Sequence, residues 1–89
     1  MYPHLYSDKL KSILEKLYKK DTETYKRVMK KIQEIINSGS IEHYKNLRKP
    51  LQHLKRVQIG EKVLVFEYNK KNNFISFDDF DHHDKIYGV

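Results

Sequence analysis

Apolar side chains recur every three or four positions between residues 8 and 36, then alternate singly with polar ones from residue 56 onward. The first period is that of an amphipathic helix, the second that of a half-buried strand. Leu10, Ile13, Leu14, Leu17 and Tyr18 form one helical stripe, for which Ser7 or Asp8 supplies the N-cap. Asp21 is a second N-cap, preceding the stripe Tyr25, Val28, Met29, Ile32, Ile35 and Ile36. That helix should end at Asn37-Ser38-Gly39, with Gly39 in the left-handed conformation of a C-cap. Two helices joined by so short a connection must pair antiparallel, giving a hairpin with one apolar face.

After a polar connector, Arg56-Val57-Gln58-Ile59 alternates, Gly60-Glu61 reads as a two-residue turn, and residues 63–68 are β-branched and aromatic. Asn69-Lys70-Lys71-Asn72-Asn73 forms the next turn, and residues 74–80 a third strand. With Gly60 and Glu61 as the loop, Gln58 stands opposite Val63, Val57 opposite Leu64 and Arg56 opposite Val65. Alternation then gives Val57, Ile59, Leu64, Phe66 and Tyr68 one face, expected under the helices. Arg56, Gln58, Val63, Val65 and Glu67 share the opposite, open face. Its half-polar character suits the floor of a groove, and an ordinary solvated sheet face has the same character. Tyr2-Pro3-His4-Leu5-Tyr6 is a candidate edge strand, where Pro3 is tolerated. A bare meander needs a cover, so the helices must pack on it. The expected fold is α+β: one domain over residues 1–89, an N-terminal antiparallel helical hairpin packed on a small, mostly antiparallel sheet.

Composition narrows the function classes. At 89 residues, 38% of them hydrophobic, the chain can build one small core, in which tyrosine and phenylalanine must take a large share. There are no cysteines, so disulfides and thiolate metal sites are excluded, and a reducing cytoplasm is the expected compartment. No apolar run has the length of a signal peptide core or a membrane span. The net charge is +6, and it is unevenly distributed. Lys and Arg dominate up to residue 71, whereas residues 72–89 set Lys85 against Asp78, Asp79, Asp81 and Asp84. A basic body favours a polyanion or an acidic protein partner. A lysine-coated surface that only maintains solubility accounts for the charge equally well.

Three segments concentrate the chemistry-bearing residues: Leu47-Arg48-Lys49-Pro50-Leu51, Arg56-Val57-Gln58-Ile59-Gly60-Glu61-Lys62, and Asp81-His82-His83-Asp84-Lys85-Ile86-Tyr87. In this order, behind a helical hairpin, they resemble the RelE/ParE superfamily of bacterial and archaeal toxins. The ending His-His-Asp-Lys-Ile-Tyr is similar to that of archaeal relatives. The resemblance implies the toxin of a toxin–antitoxin system, acting as a ribosome-dependent mRNA endonuclease (an mRNA interferase) through metal-free attack of a 2′-hydroxyl. It implies as partners a RelB-like antitoxin, in a toxin–antitoxin hetero-oligomer, together with the ribosome and messenger RNA. No cofactor is implied.

By the same resemblance Arg56 matches a basic position of the strand, and Gln58 stands where a second basic residue is common. Val63 occupies the place of a frequent catalytic arginine; Lys62 or Lys55 is available to compensate, although alternation points Lys62 away. His82 and His83 match a terminal His-Arg pair with the arginine replaced, and Tyr87 matches a terminal tyrosine. The expected catalytic set is Arg56, His82, His83 and Tyr87, with Lys49, Lys55, Gln58 and Lys62 as RNA contacts. The residue types fit the chemistry. Histidine, with an ordinary pKa of about 6.5, exchanges protons at neutral pH. Arginine clamps a phosphate with two hydrogen bonds, and tyrosine donates a proton or stacks on a base. The bland alternative is that one histidine packs, the other faces water, and Tyr87 only anchors the core.

The acids beside the two histidines raise a divalent-metal site as a rival, but alternate residues of a strand face opposite ways, so at most half of them converge. An acidic patch balancing the basic body is the simpler reading. Two functional alternatives remain: a ParE-like inhibitor of DNA gyrase that performs no chemistry, and a degenerate toxin that only binds its antitoxin or RNA.

Overall fold

The computed structural model describes residues 1–87. In chain order the elements are β1 (His4–Tyr6), α1 (Asp8–Lys20), α2 (Thr22–Ile36), β2 (Leu54–Ile59), β3 (Lys62–Asn69), β4 (Phe74–His82) and α3 (His83–Tyr87). The strands form one sheet in the order β1-β4-β3-β2, antiparallel except for β1, which runs parallel to β4 at the edge. The α+β plan expected from the sequence is therefore present, including the short N-terminal strand.

Local chemistry fixes the helix ends. The Ser7 hydroxyl accepts from the Leu10 amide and the Asp21 carboxylate from the Thr24 amide, each satisfying a free N–H of a first turn. The end of α2 differs from expectation. Gly39 is not left-handed; Asn37 is the C-cap, at φ −104°, and its side-chain amide donates to the Gln33 carbonyl. An asparagine that satisfies an orphan carbonyl itself leaves glycine no such task. In the β2–β3 hairpin the register is the expected one, with Arg56 opposite Val65 and Gln58 opposite Val63. Gly60 holds the turn at φ +64°. A Cβ there would also stand 3.3 Å from the Arg27 guanidinium.

The main core lies between the helical hairpin and the sheet. Leu10, Val28, Ile32, Ile35, Leu64, Phe66, Ile75 and Phe77 are fully buried in it. Tyr18 is not part of it. It is 63% exposed, its ring meeting that of Tyr25 edge-on at 5.2 Å. The helical stripe is narrower than the sequence pattern, because Leu14 and Leu17 already fill the contact.

Phe77 and Phe80 both reach this core although three residues apart on one strand. Plain alternation forbids that, and a register shift resolves it: Phe66 pairs with Phe77 and Val65 with Asp79, leaving Asp78 as an extra residue. The bulge reverses the parity of β4 beyond it. It thereby determines which of the strand's last residues, Asp81 and His82, meets which face of the sheet.

Candidate functional site

The face of the sheet away from the hairpin is not bare. Val63 and Val65 are buried, at 1% and 2% exposure, beneath Leu47 from the connector and Ile86 and Tyr87 from α3. This corrects the expectation that the two valines form an open floor. Apolar area gains about 25 cal/mol per Å² on leaving water, so a chain with Leu47, Ile86 and Tyr87 within reach covers them. The cavity is displaced toward β2, where the cover is incomplete.

That cavity, about 560 Å³, is lined by Arg56 and Gln58 of β2, His83, Ile86 and Tyr87 of α3, and the connector from Asn46 to Leu51. Arg56 is half-buried, and its guanidinium carbon lies 5.6 Å from the centre of the Tyr87 ring. The His83 ring is 4.3 Å from the same ring, inclined at 59°. A cation, an imidazole and a phenol thus share one wall. His83 Nδ1 also lies 3.7 Å from a carboxylate oxygen of Asp84, both side chains being more than half exposed. Arg48 and Lys49 stand on the connector side of the cavity. Three cations, Arg48, Lys49 and Arg56, line it and no carboxylate does, which matches an anion with an extended backbone.

The expected site residues divide into two sets. Arg56, His83, Tyr87, Lys49 and Gln58 line the cavity, with the Gln58 amide spending one donor on the Gly60 carbonyl at 3.0 Å. Lys55, Lys62 and His82 do not line it. Lys55 is 8% exposed, and its Nζ donates to the Tyr44 carbonyl at 3.0 Å and to Asn46 Oδ1 at 3.2 Å. Lys62 Nζ lies 5.6 Å from the ring centre of Phe80, on the helix side of the sheet. His82 pairs with Lys62 across the strands and is exposed.

Sequence reasoning did not single out Arg48 as a site residue, nor Leu47 and Ile86 as the cover. The only available signal was their position in the segments carrying the resemblance. The helix α3 was also not expected. Among the described residues no three His, Cys, Asp or Glu side chains are grouped to hold a metal ion, and no helix is long and apolar enough to cross a membrane.

Comparison with known proteins identifies the family and the fold. No family model matches the chain. It is 48% identical over 79 residues to a protein of Methanocaldococcus jannaschii named "Putative toxin RelE4", covering 88% of this chain and 82% of that protein. The chain belongs to the RelE toxin family. A protein of Methanosarcina mazei without an assigned function is 42% identical over 79 residues, covering 88% of this chain and 90% of its own. The RelE fold is also that of a solved structure, the toxin–antitoxin complex RelBE2 from Mycobacterium tuberculosis. The match has a TM-score of 0.61 at 16% identity, over 92% of this chain and 98% of that one. In this RelE-family chain the cavity is therefore framed by the three segments that carry the sequence resemblance.

Proposed function

We propose that this toxin is a ribosome-dependent mRNA endonuclease, and that the cavity beside β2 holds the scissile phosphate. The observation that carries the reading is the grouping of Arg56, His83 and Tyr87 on one wall, facing Arg48 and Lys49. Cleavage begins with attack of a 2′-hydroxyl on the adjacent phosphorus. The O2′–P bond forms, the P–O5′ bond breaks, and the products carry a 2′,3′-cyclic phosphate and a 5′-hydroxyl. His83 takes the 2′-hydroxyl proton as general base. Arg56 holds the phosphate through its two parallel N–H groups and stabilises the charge that gathers on it. Tyr87, braced between Arg56 and His83, gives its hydroxyl proton to the departing O5′ and recovers one from the His83 imidazolium by way of solvent, so that the pair ends as it began. Arg48 and Lys49 supply positive charge that Gln58 and Val63 do not. These groups need no metal for the step.

The partner that neutralises such a toxin is an antitoxin covering the cationic cavity; an antitoxin partner is in keeping with the structural relative RelBE2, which is a toxin–antitoxin complex. An acidic segment laid over Arg48, Lys49 and Arg56 excludes RNA directly. Induction of the toxin with mapping of RNA 5′ ends tests the reading: cuts within translated messages, bearing 5′-hydroxyl ends, support it. The gyrase-inhibitor alternative draws on Val63, whose buried, apolar surroundings leave no room for a catalytic cation at that position. Growth arrest with intact messages and accumulated gyrase–DNA complexes would favour that alternative.

A further inference from the structure

We infer that Lys55 and Asn46 are positioning residues for the cleavage proposed above: they hold the connector wall of the cavity at a fixed distance from Arg56. The inference rests on that functional reading only for its effect on rate. Lys55 follows the alternation of β2 onto the side opposite Arg56, so its ammonium does not reach the cavity. It is the one charged side chain buried among the described residues. Its Nζ is spent within the protein, on the Tyr44 carbonyl and on Asn46 Oδ1. Asn46 passes the constraint on, its Nδ2 donating to the Gln52 carbonyl at 2.8 Å. Asn46 also bridges to Lys55 through the backbone, the Leu47 amide donates to the Leu54 carbonyl, and the Arg56 amide to the Lys45 carbonyl.

The segment between Asn46 and Gln52 is thus tied at both ends by one asparagine side chain, and that asparagine is tied to β2 by Lys55. Arg48 and Lys49 ride on this closed loop. A buried amine that lost either acceptor would be left unsatisfied, so the wall is set before substrate arrives. Preformed placement of charge is what accelerates phosphoryl chemistry, and a misplacement of about 1 Å costs roughly 10²-fold in rate.

The test compares Lys55→Met, Asn46→Leu, the double variant and Arg56→Ala in the full-length toxin. Asn46 is at the surface, so Asn46→Leu is the variant that folds if Lys55→Met does not. Three quantities are read: hydrogen exchange at the Leu47 amide and at the Leu54 amide, which donates to the Leu51 carbonyl, cleavage rate of message on toxin-saturated ribosomes, and the slope of ribosome affinity against salt. Positioning predicts faster exchange at both amides and a cleavage rate lowered about tenfold or more. It predicts an unchanged salt slope, and a double variant no worse than the more impaired single one. A direct phosphate contact predicts the opposite, with Lys55→Met flattening the salt slope as Arg56→Ala does and Asn46→Leu remaining fully active. Unchanged exchange in both single variants also overturns the proposal. If the wild-type protein cleaves nothing, the functional reading fails, and the exchange measurement still decides whether the wall is held by this pair.

Discussion

Arg56 sits over the ring of Tyr87, 5.6 Å from guanidinium carbon to ring centre, and so ties the sheet to the terminal helix. A cation held over an aromatic face gains about 0.5–2 kcal/mol, depending on how far it is desolvated. Arg56 therefore has two tasks, gripping phosphate and orienting the phenol, and lysine can perform neither in the same way.

Replacing Arg56 separates these tasks. Arg56→Ala should weaken ribosome association and reduce the slope of affinity against salt by about 0.7–0.9, the loss of one phosphate contact. Arg56→Lys should keep most of that slope while losing cleavage, because a point charge replaces the planar fork. Binding titrations across a salt series check both. An unaltered slope in Arg56→Ala would mean that Arg56 does not touch RNA.

The core offers a prediction about stability. Ile32 on α2 and Phe66 on β3 are both at 0% exposure in the same cluster. Ile32→Ala or Phe66→Ala should cost roughly 2–5 kcal/mol in urea unfolding, enough to threaten folding of so small a protein. A cost well under 1 kcal/mol at either site would contradict the packing.

Much of this fold was legible because its signals are local. The caps at Ser7 and Asp21, the Gly60-Glu61 turn and the register that follows from it depend on a few neighbouring residues each. The sequence pattern also put Ile32 and Phe66 on inward faces. What could not be read was long-range. Nothing near Tyr18 shows that Leu14 and Leu17 fill the helix contact without it. The connector looks like a polar loop until Leu47 is seen on Val63 and Val65, and a five-residue helix is too short to leave a period. At the site, alternation points Lys62 away from the cavity, as the structure has it, although Lys62 was kept among the expected RNA contacts. Applied to Lys55, which is one residue from Arg56, the same rule would have removed it from the list of RNA contacts. His82 and His83 were indistinguishable because the side taken by His82 depends on the bulge at Asp78, and the place of His83 on a helix too short to leave a period.

Asp21 gives a pH dependence. The Thr24 hydroxyl and amide both donate to its carboxylate and hold its pKa below the ordinary carboxylate value. A carboxylate with a lowered folded-state pKa stabilises the fold above about pH 4, and that contribution is lost as the pH falls through the lowered value. Asp21→Asn keeps a capping oxygen but cannot titrate. Thermal unfolding of the two proteins should therefore converge as the pH falls from about 5 toward 2, relative to their difference at neutrality. A difference independent of pH would show that the charge of Asp21 plays no part.

The central claim, that the cavity beside β2 performs proton transfer on RNA, is tested most directly by treating the two adjacent histidines separately. His83 lines the cavity against Tyr87, whereas His82 lies outside it. The measurement is the single-turnover cleavage rate of ribosome-bound message by purified His83→Gln and His82→Gln proteins, with folding confirmed by their unfolding curves. General acid–base catalysis contributes about 10²–10⁴-fold. The account predicts a loss of that order in His83→Gln and near-normal cleavage in His82→Gln. Full activity in His83→Gln, or a loss confined to His82→Gln, would contradict it.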